Sequence, residues 1–243
     1  MNQRPTTPDP MALLPLSCGI SDETARIKAS RLMNKLVQFN DTENWFKGVR
    51  SLGFHENASS TKRWRAILRL PQVHKDLIGF WLDRNNQWME RPDAKRTRRV
   101  LLVKLYADEI VRNTSQGRIS TGENGLFLGG TNFQRSAILH PERVQSRQIN
   151  EDSTIIFMKI TFHVLQRLFQ RGYGLSDEGE LSYERLLKCL FEVWLAGENL
   201  FLEAPEKSQV IVPYDGLRFV LSKRDCVNNE APLDLVTVLP AQK

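Results

Sequence analysis

The stretch from residue 113 to residue 130, NTSQGRISTGENGLFLGG, constrains the fold of this 243-residue chain more than any other feature. It is rich in Asn, Ser, Thr and Gly, a composition typical of loops, and it could hold a hairpin around residues 122–125. The sequence before it has apolar residues at helical spacing, whereas the sequence after it contains short β-branched runs. We therefore predict a linker or loop region over residues 113–150.

The first half of the sequence has helical patterns throughout. Ser21 is a good N-cap for a first helix, and residues 61–69, TKRWRAILR, carry a second helical pattern. Residues 73–82 are apolar enough for a buried helix, and residues 100–111 fit a strong amphipathic helix. These patterns predict an all-helical basic domain over residues 21–112.

The second half of the sequence mixes strand and helix patterns. Residues 154–160, TIIFMKI, are typical of a strand, and Thr161 can cap a helix that ends at Gly172. A second helix over residues 182–196 ends at Gly197 in this interpretation. Four extended segments follow, over residues 199–202, 209–212, 217–221 and 233–239. The resulting prediction is an α+β domain over residues 151–243, with two helices and an antiparallel sheet of about four strands.

Composition and charge narrow the class of protein. The chain is 41% hydrophobic, enough for a folded core, and it contains no apolar window long enough to span a membrane. The net charge of +6 is unevenly distributed. Residues 1–112 contain 20 Lys and Arg against 12 Asp and Glu, a net charge of +8, and residues 113–243 contain 14 against 16, or −2. The basic half is therefore the better candidate for binding a polyanion.

Cysteine usage and the first residues indicate the compartment. Cys18, Cys189 and Cys226 are odd in number and far apart, so we expect reduced thiols and a cytoplasmic protein. Pro15 interrupts the first apolar run, which argues against a signal peptide, and we interpret residues 1–20 as a flexible leader. The histidines show no metal-ligand spacing, and we expect neither a metal nor another cofactor.

One predicted helix carries side chains suited to chemistry. At 100° per residue, His163, Gln166, Arg167 and Gln170 share a face, and Arg171 lies at its border. A histidine can transfer a proton near neutral pH, and arginines can hold a phosphodiester and its charged transition state. The alternative interpretation is an ordinary solvated helix face.

Two motifs of the second half carry a resemblance. The segment Ile160–Gly172 has the form I-T-x-H-x-x-x-R-x-x-x-R-G, and residues 235–238 read LVTV. Over residues 154–240, the chain resembles the metal-independent ribonuclease toxin superfamily, with its barnase-, EndoU-, colicin- and RelE-like members. The resemblance implies that His163 is the general acid or base, that Arg167 and Arg171 bind phosphate, and that Thr237 contacts the substrate. It also implies a toxin or defence effector that cleaves RNA inside a bacterial cell and has an inhibitor or partner protein.

The basic half offers two clusters for nucleic-acid contact. Aromatic rings stack on bases and cations track phosphates. The candidate residues are Lys62, Arg63, Trp64 and Arg65 in the first cluster, and Lys95, Arg96, Arg98 and Arg99 in the second. The alternative is a solvated basic face with Trp64 in the core.

Three functions are compatible with the sequence. The first is metal-independent RNA cleavage, with the basic half binding RNA. The second is a non-catalytic protein that binds RNA or DNA, or an accessory protein of a mobile element, in which the C-terminal domain is a binding or dimerisation module. The third is an adaptor subunit of a larger assembly, in which the basic face meets an acidic protein.

Overall fold

A computed structural model describes residues 20–38, 59–114, 117–139, 155–223 and 233–240. Almost all of the predicted leader, together with Cys18 and Cys226, lies outside these residues.

Helices and strands both occur along the described part of the chain, so the protein is α+β. The five helices of that part are α1 Asp22–Gln38, α2 Ser60–Val73, α3 Arg135–Leu139, α4 Phe162–Gln170 and α5 Tyr183–Glu203. Its eight strands are β1 Ile78–Leu82, β2 Trp88–Met89, β3 Arg99–Thr114, β4 Gly117–Gln134, β5 Ile155–Ile160, β6 Gln209–Tyr214, β7 Leu217–Lys223 and β8 Leu233–Pro240. The strands form one sheet in the order β2-β1-β3-β4-β5-β8-β7-β6. This sheet is mixed, because β5 pairs with β8 in parallel whereas β6 and β7 are antiparallel.

The prediction of an all-helical first half followed by a small four-stranded domain is wrong. Residues 100–111 belong to β3, which pairs with β1 in the register Ile78↔Val103 and Leu82↔Arg99. β3 lies between β1 and β4, and its residues 100–107 are buried or half-buried, without alternation between buried and exposed positions. A short apolar run without alternation does not distinguish a buried strand from a buried helix.

The predicted linker is also a strand for much of its length. β4 covers residues 117–134 and is paired on both sides, by β3 and β5. Its Gly- and Thr-rich sequence has little strand character in isolation. Strand formation depends strongly on neighbouring strands, and here they override the loop-like composition.

The second half agrees with its prediction in several elements. β5, α4 and the three strands β6, β7 and β8 lie where the sequence places them. Thr161 caps α4, its hydroxyl accepting a hydrogen bond from the backbone N–H of Val164 at 3.2 Å. However, α5 continues through Gly197 to Glu203, so residues 199–202 are helical rather than extended.

Gly197 does not end α5 because it lies where the helix approaches the sheet closely. A Cβ at this position would lie 2.6 Å from the Cδ1 atom of Leu221 on β7 and 3.7 Å from the Cγ2 atom of Val212 on β6. The glycine is therefore explained by packing rather than by helix termination.

The chain divides into two compact units, each built from more than one stretch of sequence. Among the described residues, the first unit contains 59–104, 130–139 and 155, and the second contains 20–38, 105–114, 117–129, 156–223 and 233–240. The first unit has a core around Trp64 of α2, Leu102 of β3 and Phe133 of β4. The second unit buries side chains of α4, α5 and the sheet, including Phe169 and Phe219.

Candidate nucleic-acid interface

A cavity of about 590 Å³ lies in the first unit, at the end of β1, the start of β3 and the end of β4. Its lining is mainly polar, with four arginines and one aspartate, which gives a formal charge of +3. The lining residues are Asp83, Arg84, Asn86, Arg98, Arg99, Gln134, Arg135, Ser136 and Leu139. We refer to this site as the arginine cavity.

Backbone hydrogen bonds hold two of these arginines in place. The N–H of Arg98 donates to the carbonyl oxygen of Leu82 at 2.8 Å, and the N–H of Arg135 donates to the carbonyl oxygen of Arg98 at 2.8 Å. These bonds tie together segments that are distant in sequence. The cavity wall is therefore a consequence of strand pairing.

The turn between β1 and β2 forms another part of the wall. The Oδ1 atom of Asp83 accepts hydrogen bonds from the backbone N–H groups of Asn85 at 2.7 Å and Gln87 at 3.1 Å. The bond from Gln87 is the main reason that the pKa of Asp83 lies below its ordinary value. Asn86 adopts a left-handed backbone conformation with φ 58°, as tight turns often require. Asp83 is thus ionised, and backbone donors partly satisfy its charge.

A second turn precedes β3 and carries Lys95 and Arg96. The Oδ1 atom of Asp93 accepts hydrogen bonds from the backbone N–H groups of Lys95 at 2.7 Å and Arg96 at 2.9 Å, and these bonds lower the pKa of Asp93. The buried hydroxyl of Thr97 accepts a bond from the N–H of Asp93 at 3.0 Å. The guanidinium of Arg135 donates to the carbonyl oxygen of Lys95 at 2.8 Å, which links this turn to the cavity.

The structure separates the predicted nucleic-acid residues into different environments. Lys95, Arg96, Arg98 and Arg99 are exposed, and the last two line the arginine cavity. Lys62 and Arg65 are exposed on α2, and Arg63 is half-buried.

Trp64, in contrast, is only 1% exposed and belongs to the core of the first unit. The prediction that it stacks on a base therefore needs correction, because the ring is enclosed by apolar side chains.

Arg84 and Arg135 are cavity residues that sequence reasoning missed. Arg84 lies in a turn, and Arg135 begins a five-residue helix that we did not predict. Neither residue lies in a dense basic run. Sequence alone offered no signal for their approach to Arg98, because pairing among β1, β3 and β4 produces it.

In the second unit, α4 carries the predicted catalytic histidine. His163 is exposed in the first turn of α4, and the Nε atom of Arg167 donates to its Nε2 atom across 3.5 Å. This contact is at the long limit of a hydrogen bond and requires an unprotonated Nε2. The same guanidinium donates from another nitrogen to Gln170 at 2.9 Å. His163 and Arg167 are thus placed together, as the helical spacing predicts.

Helix α1 packs along α4 and contacts its polar side. The Oδ1 atom of Asp22 accepts hydrogen bonds from the amide of Gln166 at 2.7 Å and from the amide of Gln170. The carboxylate therefore lies on the face that was predicted to bind phosphate. The sequence contains no sign that Asp22 belongs to this site, because it lies 144 residues before Gln166.

Arg171 is half-buried beside this face. Its guanidinium lies 3.4 Å from the carbonyl oxygen of Arg167, to which it donates a long hydrogen bond. Burial, and secondarily the charge of Arg167, lower its pKa from the ordinary arginine value. Both effects reflect the cost of placing two cations close together with partial loss of solvent.

Thr237 lies on β8, where it is half-buried and pairs with Val220 of β7 next to an irregularity in the strand register. Helix α4, which carries His163, packs against the same strand. The contact of Thr237 with a substrate stays a prediction.

Other chemical sites have less support. Cys189 is 1% exposed, and burial raises the pKa of its thiol, so it is a core residue and not an accessible nucleophile. Among the described residues, no group of three or more His, Cys, Asp and Glu is arranged to hold a metal ion. No helix in that part of the chain combines the length and the apolar character that crossing a membrane requires.

Comparison of the chain with protein-family models, curated proteins and solved structures found no match. The resemblance to ribonuclease toxins therefore stays a prediction. The arginine cavity and the polar face of α4 are the two sites that bear on the function.

Proposed function

We propose that this protein binds nucleic acid and that its first unit contacts the phosphate groups. The observation that carries this proposal is the arginine cavity, in which four arginines line a single concave site. Arginine presents a planar fork of donors that matches two phosphate oxygens at once. The geometry thus supports the second of the three functions considered from the sequence.

The charge around the cavity supports the same function. The described residues of the first unit include 13 Lys and Arg against 4 Asp and Glu, a net charge of +9. None of the four cavity arginines forms an ion pair with another described residue. The guanidinium of Arg135 also donates to the carbonyl oxygen of Lys95, but this bond does not neutralise its charge. The four arginines therefore attract an anionic ligand, and a positive surface of this kind also accelerates association.

Salt-dependent binding tests this proposal directly. We would measure the affinity of the full chain for labelled single-stranded RNA and DNA by fluorescence anisotropy over a range of salt concentrations. The cavity variant replaces Arg84, Arg98 and Arg99 with Gln. For single strands, it should lower the slope of log affinity against log salt by about 0.7 for each phosphate contact that is lost.

A matched control separates the cavity from general charge. The control variant replaces Arg26, Arg31 and Lys207, three exposed cations of the second unit, with Gln. It changes the net charge by the same amount and should leave the slope nearly unchanged. Equal effects of the two variants, or no binding by the native chain, would refute the proposal.

A second candidate function is RNA cleavage at α4. The observation in its favour is the exposed His163 beside Arg167, with Arg171 one turn further along. In this reaction the 2′-hydroxyl loses a proton and its oxygen bonds to phosphorus, while the 5′-oxygen leaves and gains a proton. His163 would transfer one of these protons, and Arg167 would stabilise the charge on phosphorus.

Cleavage requires its own test. Native chain and His163→Ala would each be incubated with RNA in EDTA, together with a matched strand that lacks 2′-hydroxyl groups. Cleavage of RNA by the native chain alone, with the deoxy strand intact, is the expected result. Equal activity of the two proteins, or no activity in either, would exclude His163 as a catalytic residue.

A further inference from the structure

The arginine cavity has the size of a site for a small charged group. Its volume of about 590 Å³ lies within the range of about 300–1,000 Å³ that is typical of small-ligand sites. A group at the end of a nucleic-acid strand needs only one such site, whereas an internal segment makes successive contacts along the protein surface.

The charge of the cavity favours the same kind of group. An internal phosphodiester carries one negative charge, whereas a terminal phosphate carries between one and two at neutral pH, because its second pKa is about 6. Four arginines and one aspartate leave a formal charge of +3 in the lining. Concentrated positive charge of this size complements a terminal phosphate better than an internal one.

The remaining lining residues would complete such a site. Asn86, Gln134 and Ser136 add two amides and a hydroxyl, which can donate hydrogen bonds to phosphate or sugar oxygens. The carboxylate of Asp83 repels an anion, but its Oδ1 atom already accepts hydrogen bonds from two backbone N–H groups of the turn, which partly offset its negative charge. The fixed backbone positions of Arg98 and Arg135 reduce the ordering that a ligand would require.

We propose that the arginine cavity binds the terminal phosphate of a nucleic-acid strand. This inference rests on the proposed nucleic-acid binding and specifies which part of the strand enters the cavity. Either the 5′ or the 3′ end of a strand can carry a terminal phosphate, and the experiment distinguishes the two ends and also RNA from DNA.

The test compares strands that differ only at their ends. Strands of one sequence, of about 12 nucleotides, which is within the usual range of single-strand site sizes, would carry a 5′-phosphate, a 3′-phosphate or hydroxyl groups at both ends. A circular strand of the same sequence has no end. We expect one phosphorylated strand to bind about tenfold more tightly than the hydroxyl strand, the effect of one added charge-assisted hydrogen bond. The circular strand should bind like the hydroxyl strand.

The two triple variants then locate the effect. The cavity variant should lose the preference for a phosphorylated end, and the control variant should keep it. If the native chain binds all four strands equally and the cavity variant weakens all of them, the cavity contacts internal phosphates and the inference is overturned, while nucleic-acid binding stands. If the native chain binds none of the strands, the proposed function fails and the inference fails with it.

Discussion

Replacement of Gly197 by alanine tests whether α5 lies as close to the sheet as the structure indicates. The added methyl group would lie 2.6 Å from the Cδ1 atom of Leu221 and 3.6 Å from its Cγ atom. Leu221 is completely buried, so its side chain has no solvent space into which to turn. Either the side chain of Leu221 or the backbone of α5 or β7 must therefore shift.

Two opposing contributions determine how Gly197→Ala changes the free energy of unfolding. Alanine in a helix interior is favoured over glycine by about 1 kcal/mol. Insertion of a methyl group into a packed core costs about 1–3 kcal/mol. We therefore expect Gly197→Ala to lower the free energy of unfolding by about 1 kcal/mol, although helix propensity alone predicts the opposite sign.

Urea unfolding of the full chain, followed by circular dichroism, measures this difference as a shift of the midpoint at constant slope. A double-mutant cycle with Leu221→Ala isolates the contact. Leu221→Ala alone should cost about 2–5 kcal/mol through the cavity that it leaves, and less in the Gly197→Ala background, because the methyl group occupies part of that space. Stabilisation by Gly197→Ala, or strict additivity of the two substitutions, would refute the close approach.

Three further predictions concern hydrogen bonds that hold the turns and helices. Asp22→Ala removes the shared acceptor of two glutamines on α4 and should lower the free energy of unfolding in urea by about 1 kcal/mol. Glu23→Ala, which removes an exposed ion pair, should have almost no effect. Similar shifts in the two variants would contradict the role of Asp22. The pKa of Asp93 is lowered in the folded chain, so its contribution to stability is present above its ordinary pKa and is lost as pH falls through the folded value. When the pH is lowered below about 4, the urea midpoint of the native chain should therefore decrease, and that of Asp93→Asn should decrease less steeply. An equal pH dependence in both proteins would disprove this. Thr97→Val leaves the N–H of Asp93 without its acceptor and should cost about 1–3 kcal/mol in the same assay, and a neutral effect would mean that the hydroxyl does not fix the turn.

Local signals explain which parts of the fold could be predicted. Thr161 gives α4 its N-cap, and the apolar stripe of Val164, Leu165, Leu168 and Phe169 is buried as its spacing indicates. These features depend on residues within one or two turns of each other. The placement of His163 and Arg167 on one face of α4 follows from the same local geometry.

The missing parts depend on partners that are distant in sequence. β3 has helical apolar spacing, and β4 has the composition of a loop; both are strands because each has a neighbour on either side. The arginine cavity likewise requires Arg84, Arg98 and Arg135 to meet through strand pairing. No pattern within a short window contains that information.

The packing of α1 on α4 has a consequence for the order in which the second unit assembles during synthesis. The acceptor in α1 precedes its nearer donor in α4 by 144 residues, an interval that a ribosome takes on the order of ten seconds to translate. During that time the 17-residue helix α1 lacks its packing partner α4, and most helical stability in proteins comes from such tertiary packing. The buried stripe of α1 is narrow and half alanine, so the helix exposes little apolar surface before α4 is synthesised; its residues are Ala25, Ala29, Leu32 and Leu36. The small side chains that allow close packing in the folded protein thus also limit the apolar surface that the nascent chain exposes to aggregation.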